Sequence, residues 1–312
     1  MANSYFQFKQ FIIQQDRCAM KVCTDACILG AWFARQMGAA HSILDIGSGS
    51  GLLMLMLAQQ SDAIIHGIEI DPGAFEQSTE NILRSPFLGR KEGLRAFTTG
   101  TPFSKETPER LSVFHGDARH YAFPGEYDFI ISNPPFYEND LTTSSDAKNT
   151  AKHSTALDFR ELLTIINNNL SDAGAFGVLL PFHRWERFDQ LACATGFKPI
   201  SRLFVRQSPS HHHFRAILHY GRKPPTGSIA SLERLNLFTG MASDAPLYML
   251  TIKEEKAPTD QRGLPGDTNP GHPFFIQTIT PDPAIGNTPK KSAGPGYSAA
   301  FTALLKDYYL HL

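Results

Sequence analysis

Ser42-Ile43-Leu44-Asp45-Ile46-Gly47-Ser48-Gly49-Ser50-Gly51 is the stretch whose reading decides the fold, and LLMLMLAQQ (52–60) follows it without a breaker. A short apolar run ending in a glycine turn reads as a buried strand, and the run after it as a buried helix. In doubly wound sheets this connection is where ligands bind, outside the carboxyl ends of the strands. Glycines let backbone approach a ligand closely, and a helix N-terminus favours an anionic group. A dinucleotide fingerprint needs G-x-G-x-x-G. Gly47 and Gly49 fit it, but the third site is Leu52, which argues against a nicotinamide cofactor. The helix N-terminus then faces a carboxylate while Asp45 sits beside a cation. An amino-acid head group carries both charges, and S-adenosylmethionine (SAM) joins such a head to a nucleoside.

Outward from this centre, AIIHGIEID (63–71) is a second apolar strand ending in acids, and 73–85 is helical in character. LSVFHGDAR (111–119) is a third strand and turn, and YDFIISNPPFY (127–137) a fourth that stops at a double proline. A helix over 158–170, a strand over FGVLLP (176–181) and a helix near 183–195 follow. LFVRQ (203–207) and FRAILHYG (214–221) flank a turn-rich tip and read as a hairpin. Before the glycine turn, residues 1–22 read as a short strand or hairpin arm, and Thr24-Asp25 offers an N-cap for a helix. Strands alternating with helices imply a mainly parallel doubly wound α/β sheet, with the hairpin adding one antiparallel strand. The polar stretch 86–110 reads as an insertion loop. Of the 41 residues 256–296, 14 are Pro or Gly, which marks a long loop or inserted segment. Residues 297–312 return to an amphipathic helical pattern that docks on the core.

Acids recur at successive strand ends. Glu69 lies 22 residues after Gly47, the spacing of a carboxylate that accepts from ribose hydroxyls. Asp117, in His115-Gly116-Asp117-Ala118, is placed to accept from an adenine amino group. Asp71, just before Pro72, reads as a turn or cap residue instead.

Asn133-Pro134-Pro135-Phe136 closes the fourth strand. Proline cannot continue a ladder, so a rigid strand terminator is the plain reading. A chemical reading accounts for each residue type. The exocyclic amine of adenine is a poor nucleophile because its lone pair delocalises into the ring. The Asn133 side-chain oxygen and the Pro134 carbonyl are two acceptors for its hydrogens, held by the prolines. Phe136 offers a face to the base, and such stacking contributes about 1–3 kcal/mol. Attack on a methyl sulfonium then needs chiefly positioning.

Composition narrows the classes. The net charge of −1, with 42% hydrophobic and 19% charged residues, describes an ordinary globular chain rather than a polycation. No run of about 18 apolar residues is present, so no membrane-spanning helix is expected. MANSYFQFKQFIIQQD lacks a basic region ahead of its apolar stretch and does not read as a signal peptide. The four cysteines do not make a disulfide scaffold, and the spacing of Cys18, Cys23 and Cys27 is not that of a zinc site. They read as reduced thiols in a cytoplasm-like compartment. His211-His212-His213 reads as a polar hairpin tip, because consecutive strand residues point to opposite faces. No metal is expected.

D-x-G-x-G-x-G followed by N-P-P-aromatic resembles the amino-group class I SAM-dependent methyltransferases. Phe6-Gln7-Phe8-Lys9-Gln10-Phe11, Met20-Lys21-Val22, Thr24-Asp25, Leu29-Gly30-Ala31-Trp32 and Lys306-Asp307-Tyr308-Tyr309-Leu310 resemble the tRNA1(Val) adenine-N6 methyltransferase family. The resemblance covers most of 5–220 and about 297–312. It implies a seven-stranded Rossmann-like sheet with one antiparallel strand, and methylation of adenosine 37 in a valine tRNA. It also implies SAM held near Asp45, Gly47, Gly49, Gly51, Glu69, Asp117, Ala118 and Asn133, with Thr24 and Asp25 at the cofactor mouth. Asn133, Pro134, Pro135 and Phe136 would then meet the target amine. Cys23, Cys27 and Phe136 depart from the family pattern, as do the long stretches 86–110 and 221–296. The expected organisation is an arm plus methyltransferase domain (1–220), an atypical insertion (221–296) and a docking helix (297–312).

Residues 201–223 hold Arg202, Arg206, Arg215, Arg222, Lys223 and four histidines, with no acid. Lys9, Arg17 and Lys21 add charge near the arm. Lys9, Arg17, Lys21, Arg206 and Arg215 are the expected RNA contacts, and such contacts make binding salt-dependent. A protein glutamine or DNA adenine methyltransferase would use the same tetrad. A non-catalytic RNA-binding module on the same fold is the reading from a different class.

Overall fold

The computed structural model describes residues 3–37, 40–88, 110–134, 157–222, 247–252 and 297–309. Pro135, Phe136 and Lys223, nearly all of the 86–110 loop and the Pro/Gly-rich 256–296 segment lie outside them.

Strands β1 (Tyr5–Gln7) and β2 (Ile12–Gln14) form an antiparallel hairpin with Tyr5 opposite Gln14. Helix α1 (Thr24–Gln36) leads to β3 (Ser42–Ile46), α2 (Leu52–Ala58), β4 (Ile64–Glu69), α3 (Pro72–Arg84), β5 (Leu111–His115) and β6 (Tyr127–Ser132). After these come α4 (Phe159–Asn169), β7 (Leu170–Pro181), α5 (Trp185–Ala194), β8 (Lys198–Arg206), β9 (His213–Gly221), β10 (Leu247–Thr251) and α6 (Ala299–Leu305).

The main sheet has the order β10-β8-β9-β7-β6-β3-β4-β5. All neighbours are parallel except β9, which is antiparallel to both β7 and β8. Its eight strands are one more than the seven expected. The extra strand is β10, which falls within 221–296 and adds to the free edge of β8, Leu247 opposite Arg202. Two properties let it pair there. It is an apolar, strand-length run (LYMLT), and the preceding segment is long enough for a parallel crossover.

Central parallel strands are covered on both faces and therefore read as unbroken apolar runs. Alternation along them divides two cores. Ile43, Phe129 and Ile131 pack with α1 and α2, while Leu44, Ile46 and Ile130 pack with α4 and α5. Helix α1 buries every residue from Ala26 to Phe33. Its N-cap differs from the expectation: Cys23 holds that place in extended conformation with no side-chain cap, and Thr24 is the first helical residue. Helix α3 begins as the sequence implies, with Asp71 accepting from the Ala74 amide at 2.8 Å and proline at the first helical position.

The arm and the last helix meet. The Lys9 amide donates to the Tyr308 carbonyl at 2.8 Å, and the Tyr308 hydroxyl donates to the Met56 carbonyl at 3.2 Å. Ser298 caps α6 by accepting from the Phe301 amide, and its own amide donates to the Ile252 carbonyl. Phe301 is fully buried in the α1–α2 core beside Tyr297 and Tyr309. Phe301→Ala is expected to cost about 3–5 kcal/mol through the cavity it leaves. A urea midpoint matching that of the unaltered chain would show instead that the last helix is no part of the folded core.

Candidate active site

Strand register sets out the carboxyl rim of the sheet. Ile46 of β3 lies opposite Ile68 of β4 and opposite Ser132 of β6, and Glu69 lies opposite His115. Gly47 therefore follows β3 between Glu69 on one side and Asn133 on the other. At ordinary strand spacing each is about 5 Å away. The chain runs outward through β3, β4 and β5, then returns to the other side of β3 as β6. The gap between β3 and β6 is thus the topological switch point, where open α/β sheets take ligands. The Ser132 hydroxyl, itself buried, donates to the Ile46 carbonyl at 2.8 Å and ties the two strand ends together. Asn133 is half-buried and Pro134 buried at this junction.

The turn is shaped by three left-handed residues, Gly47, Gly49 and Gly51, with φ of 74°, 55° and 78°, a region glycine enters without strain. They divide by role. A Cβ on Gly47 or Gly49 would meet nothing within 4 Å, whereas one on Gly51 would lie 3.4 Å from Ser78 Cβ. The first two face open space, and the third packs on α3. The Gly47 and Ser48 amides donate to the Ile68 carbonyl at 2.9 and 3.1 Å, which holds the turn against β4. A Cβ on Gly67 would lie 2.9 Å from Ser48 Cβ, so this close approach also requires glycine.

The acids are not equivalent. Asp45 is fully buried, and among the described residues neither carboxylate oxygen has a hydrogen-bond partner. Burial, with the Glu69 charge adding, pushes its carboxyl up to about 8. Glu69 accepts from the Gly49 amide (2.8 Å) and the Asp71 amide (2.9 Å), so it braces the turn as well as standing where a ribose acceptor is expected. Asp117 is held by Arg119, whose Nη2 donates to Oδ2 at 2.6 Å and whose Nε donates to both oxygens at 3.0 Å. The Arg119 guanidinium, first through these bonds, keeps the Asp117 carboxyl below its ordinary range. Arg119 also donates to Glu161, the capping-box residue of α4, at 3.3 Å. Ala118 is half-buried beside them.

Thr24 is exposed at the start of α1, while Asp25 Oδ2 accepts from Arg215 Nε at 2.6 Å. Each of the expected cations has partners of its own. Lys9 donates to the Lys306 carbonyl, Lys21 to the Gln15 carbonyl, and Arg206 to Thr251 and to the Pro209 carbonyl. Arg17 pairs with Glu76 and Glu80 of α3. Arg202 pairs with Asp189 of α5 and is nearly buried, and Arg222 donates to Asn167. The acids missing from the 201–223 count come from distant segments.

Burial raises the thiols of Cys23 and Cys27 to about 12. Among the described residues no group of three His, Cys, Asp or Glu could hold a metal, and no helix is long and apolar enough to cross a membrane.

One residue with no signal in the sequence links the arm to the turn. Asn81, buried on α3, accepts from the Gln14 amide at 2.9 Å and donates to the Gln14 carbonyl (2.8 Å) and the Ser50 carbonyl (2.9 Å). Nothing in an Asn within a helix marks contacts so far apart in sequence.

An open glycine cradle at the switch point, an unpaired buried carboxylate beneath it and acids at the two following strand ends fit SAM. The unpaired Asp45 suits its ammonium, and the open faces of Gly47 and Gly49 leave room for it. This is the fold and site of a class I SAM-dependent methyltransferase. The chain is 40% identical over 221 residues to the tRNA1(Val) (adenine(37)-N6)-methyltransferase of Dyadobacter fermentans, covering 70% of the chain and 83% of that protein. It is 38% identical over 218 residues to the same-named protein of Flavobacterium johnsoniae (70% and 85% covered), and 34% over 257 residues to that of Parabacteroides distasonis (80% and 100%). The chain belongs to the tRNA1(Val) (adenine(37)-N6)-methyltransferase family. No family model matches it. Among solved structures, a TehB-like SAM-dependent methyltransferase from Corynebacterium glutamicum aligns with a TM-score of 0.40 at 16% identity, covering 62% of this chain and 88% of that one.

Two outcomes follow from these contacts. Below the usual carboxylate range Asp45 is neutral in both the folded and unfolded chain. With its folded value raised to about 8, the stability it contributes in the free chain is lost as pH rises from that range through about 8. A cation against its oxygens favours the carboxylate, so SAM binding at pH 7 is expected to release up to about one proton. Calorimetry in buffers of differing ionisation enthalpy reads this directly. Asp45→Asn should abolish the release and weaken SAM by about tenfold or more; an unchanged proton count would place the cation elsewhere. Asn81→Ala is expected to cost about 1–3 kcal/mol in urea unfolding and to weaken SAM severalfold through the freed Ser50 carbonyl. Unaltered SAM affinity in that variant would confine Asn81 to the fold.

Proposed function

We propose that this chain transfers a methyl group from SAM to the N6 amine of adenosine 37 in tRNA1(Val), as its relatives' names describe, and that it does so in the cytoplasm. The single observation that carries the reading is the adjacency of Asn133-Pro134 and the open glycine cradle at the switch point.

When bound, SAM supplies an electrophilic methyl group on a sulfonium. Asp45, Gly47 and Gly49 would take its amino-acid head, Glu69 its ribose, and Asp117 with Ala118 its adenine, with Thr24 at the mouth and Gly51 closing the turn against α3. Asn133 Oδ1 and the Pro134 carbonyl accept the two hydrogens of the target amine and draw the nitrogen lone pair out of conjugation. Pro135 and Phe136 follow in sequence outside the described residues, and the Phe136 ring is the face proposed for the base. A strong base is not needed, because the nitrogen becomes acidic once it carries the methyl group and then loses a proton. Turning the base out of its stack costs a few kcal/mol, which binding must supply.

Tethered cations still serve RNA. A lysine has three N–H donors and an arginine five, so Lys9, Lys21, Arg206 and Arg215 keep donors for phosphates. Arg17 lies between two glutamates and contributes least. We also infer the division 1–220, 221–296 and 297–312, in which β10 is the part of the inserted segment built into the sheet.

The test is methyl transfer from labelled SAM to tRNA, DNA and a release factor, offered separately, with the modified nucleotide mapped. Transfer to tRNA at position 37 is expected. Asn133→Ala should lower kcat by about 100-fold or more, on the scale of losing one transition-state hydrogen bond, with SAM affinity kept. Transfer to DNA or protein alone would refute the reading.

A further inference from the structure

Arg215 occupies a particular place on the rim. Val178 of β7 lies opposite Ser132 of β6, and Pro181, three residues further on, lies opposite Arg215 at the start of β9. Arg215 is therefore two strand spacings to the side of the Asn133 corner, about 10 Å. It also stands about 10 Å further out along the strand direction than Ser132. A flipped nucleotide with its amine at Asn133 would place its own backbone, and that of its neighbour, over this part of the rim.

The guanidinium is held rather than loose. Nε donates to Asp25 Oδ2 at 2.6 Å, Nη1 donates to the Phe214 carbonyl at 3.1 Å, and the group lies 5.3 Å over the Phe214 ring. Among the described residues Nη2 has no partner, and the side chain is one-third exposed. Asp25 is in turn fixed. Its Oδ1 accepts from the Ala26 amide at 3.2 Å, and it stands in the first turn of α1, where the helix dipole favours a carboxylate. With Nε on Asp25 and Nη1 on the Phe214 carbonyl, the guanidinium is fixed in direction while Nη2 and part of its charge remain for a second anion.

We propose that Arg215 anchors a phosphate beside the target adenosine and that Asp25 is its positioning residue, not a cofactor ligand; this rests on the tRNA reading above. In Arg215→Ala the KM for tRNA is expected to rise about tenfold to a hundredfold, the range for losing a charge-assisted contact. The dependence of log KM on log salt should lose about one unit of slope, while SAM affinity by calorimetry stays as in the unaltered chain. Asp25→Asn should raise the tRNA KM by a smaller factor, again with SAM affinity kept. Arg215→Lys keeps the charge but not the planar group whose direction Asp25 sets, so KM rises with the slope retained. It carries the test if the alanine variant does not fold. Unchanged tRNA KM in the arginine variants overturns the proposal, and so does Asp25→Asn if it moves SAM affinity and leaves the tRNA KM. Failure of the unaltered chain to methylate tRNA is a separate result, which refutes the parent reading.

Discussion

The parallel pairing of β3 with β6 is the constraint on which the rest depends. These strands are far apart in sequence, yet Ile46 and Ser132 lie opposite each other, and the Ser132 hydroxyl bonds the Ile46 carbonyl. A slip of one residue would turn every side chain of β6 to the other face. It would also carry Asn133 away from the glycine turn. Because both strands are buried on both faces, such a slip would exchange Phe129 and Ile131 with Ile130 between two filled cores. Core packing thereby fixes the position of Asn133 against the glycine turn to within a single residue.

Around that junction the protein treats four carboxylates differently, and the differences are electrostatic. Asp45 lies deep, with no donor among the described residues. Glu69 is satisfied by two backbone amides and shapes the turn that Asp45 underlies. Asp117 is held charged by Arg119, and Asp25 accepts from Arg215 at the start of α1. Only the first is left with a deficit for a cofactor to make good. The others can accept further hydrogens through lone pairs already aimed by their partners.

The arm and the last helix, at opposite ends of the described chain, share one structure. Asn81 joins β2 to the glycine turn, and Tyr308 joins the arm to α2, its carbonyl accepting from the Lys9 amide and its side-chain hydroxyl donating to the Met56 carbonyl. Gln15 continues the path, accepting from the Val22 amide at 2.7 Å just before α1 begins. A run of buried and partly buried polar bonds thus leads from the glycine turn through the arm to the segment just before the helix that bears Asp25. Polar groups paired in the interior are costly to leave unmade, which makes this path stiff. Such a path ties the glycine turn, the arm and the start of α1 together.

The sequence by itself determined the strand–turn–helix at 42–60, the alternation that makes the sheet parallel, and Asn133-Pro134 as a strand end. Each of these is a local signal: period, glycine φ and the missing proline donor. It also picked out Asp45, Glu69 and Asp117, because acids at strand ends are visible as a pattern. Only the tertiary structure decided which acids were already satisfied, since no spacing along the chain pairs Glu69 with the Gly49 amide or Asp25 with Arg215. It divided the basic stretch 201–223 between separate elements, because alternation along β8 and β9 sends neighbouring residues to opposite faces and Asp189 and Asp25 arrive from other helices. It placed β10 on the sheet, an edge that no local period announces. The physical reason is common to all three. Spacing along a chain specifies which face a residue takes, whereas the charge and hydrogen bonds it meets there come from segments that only folding brings near.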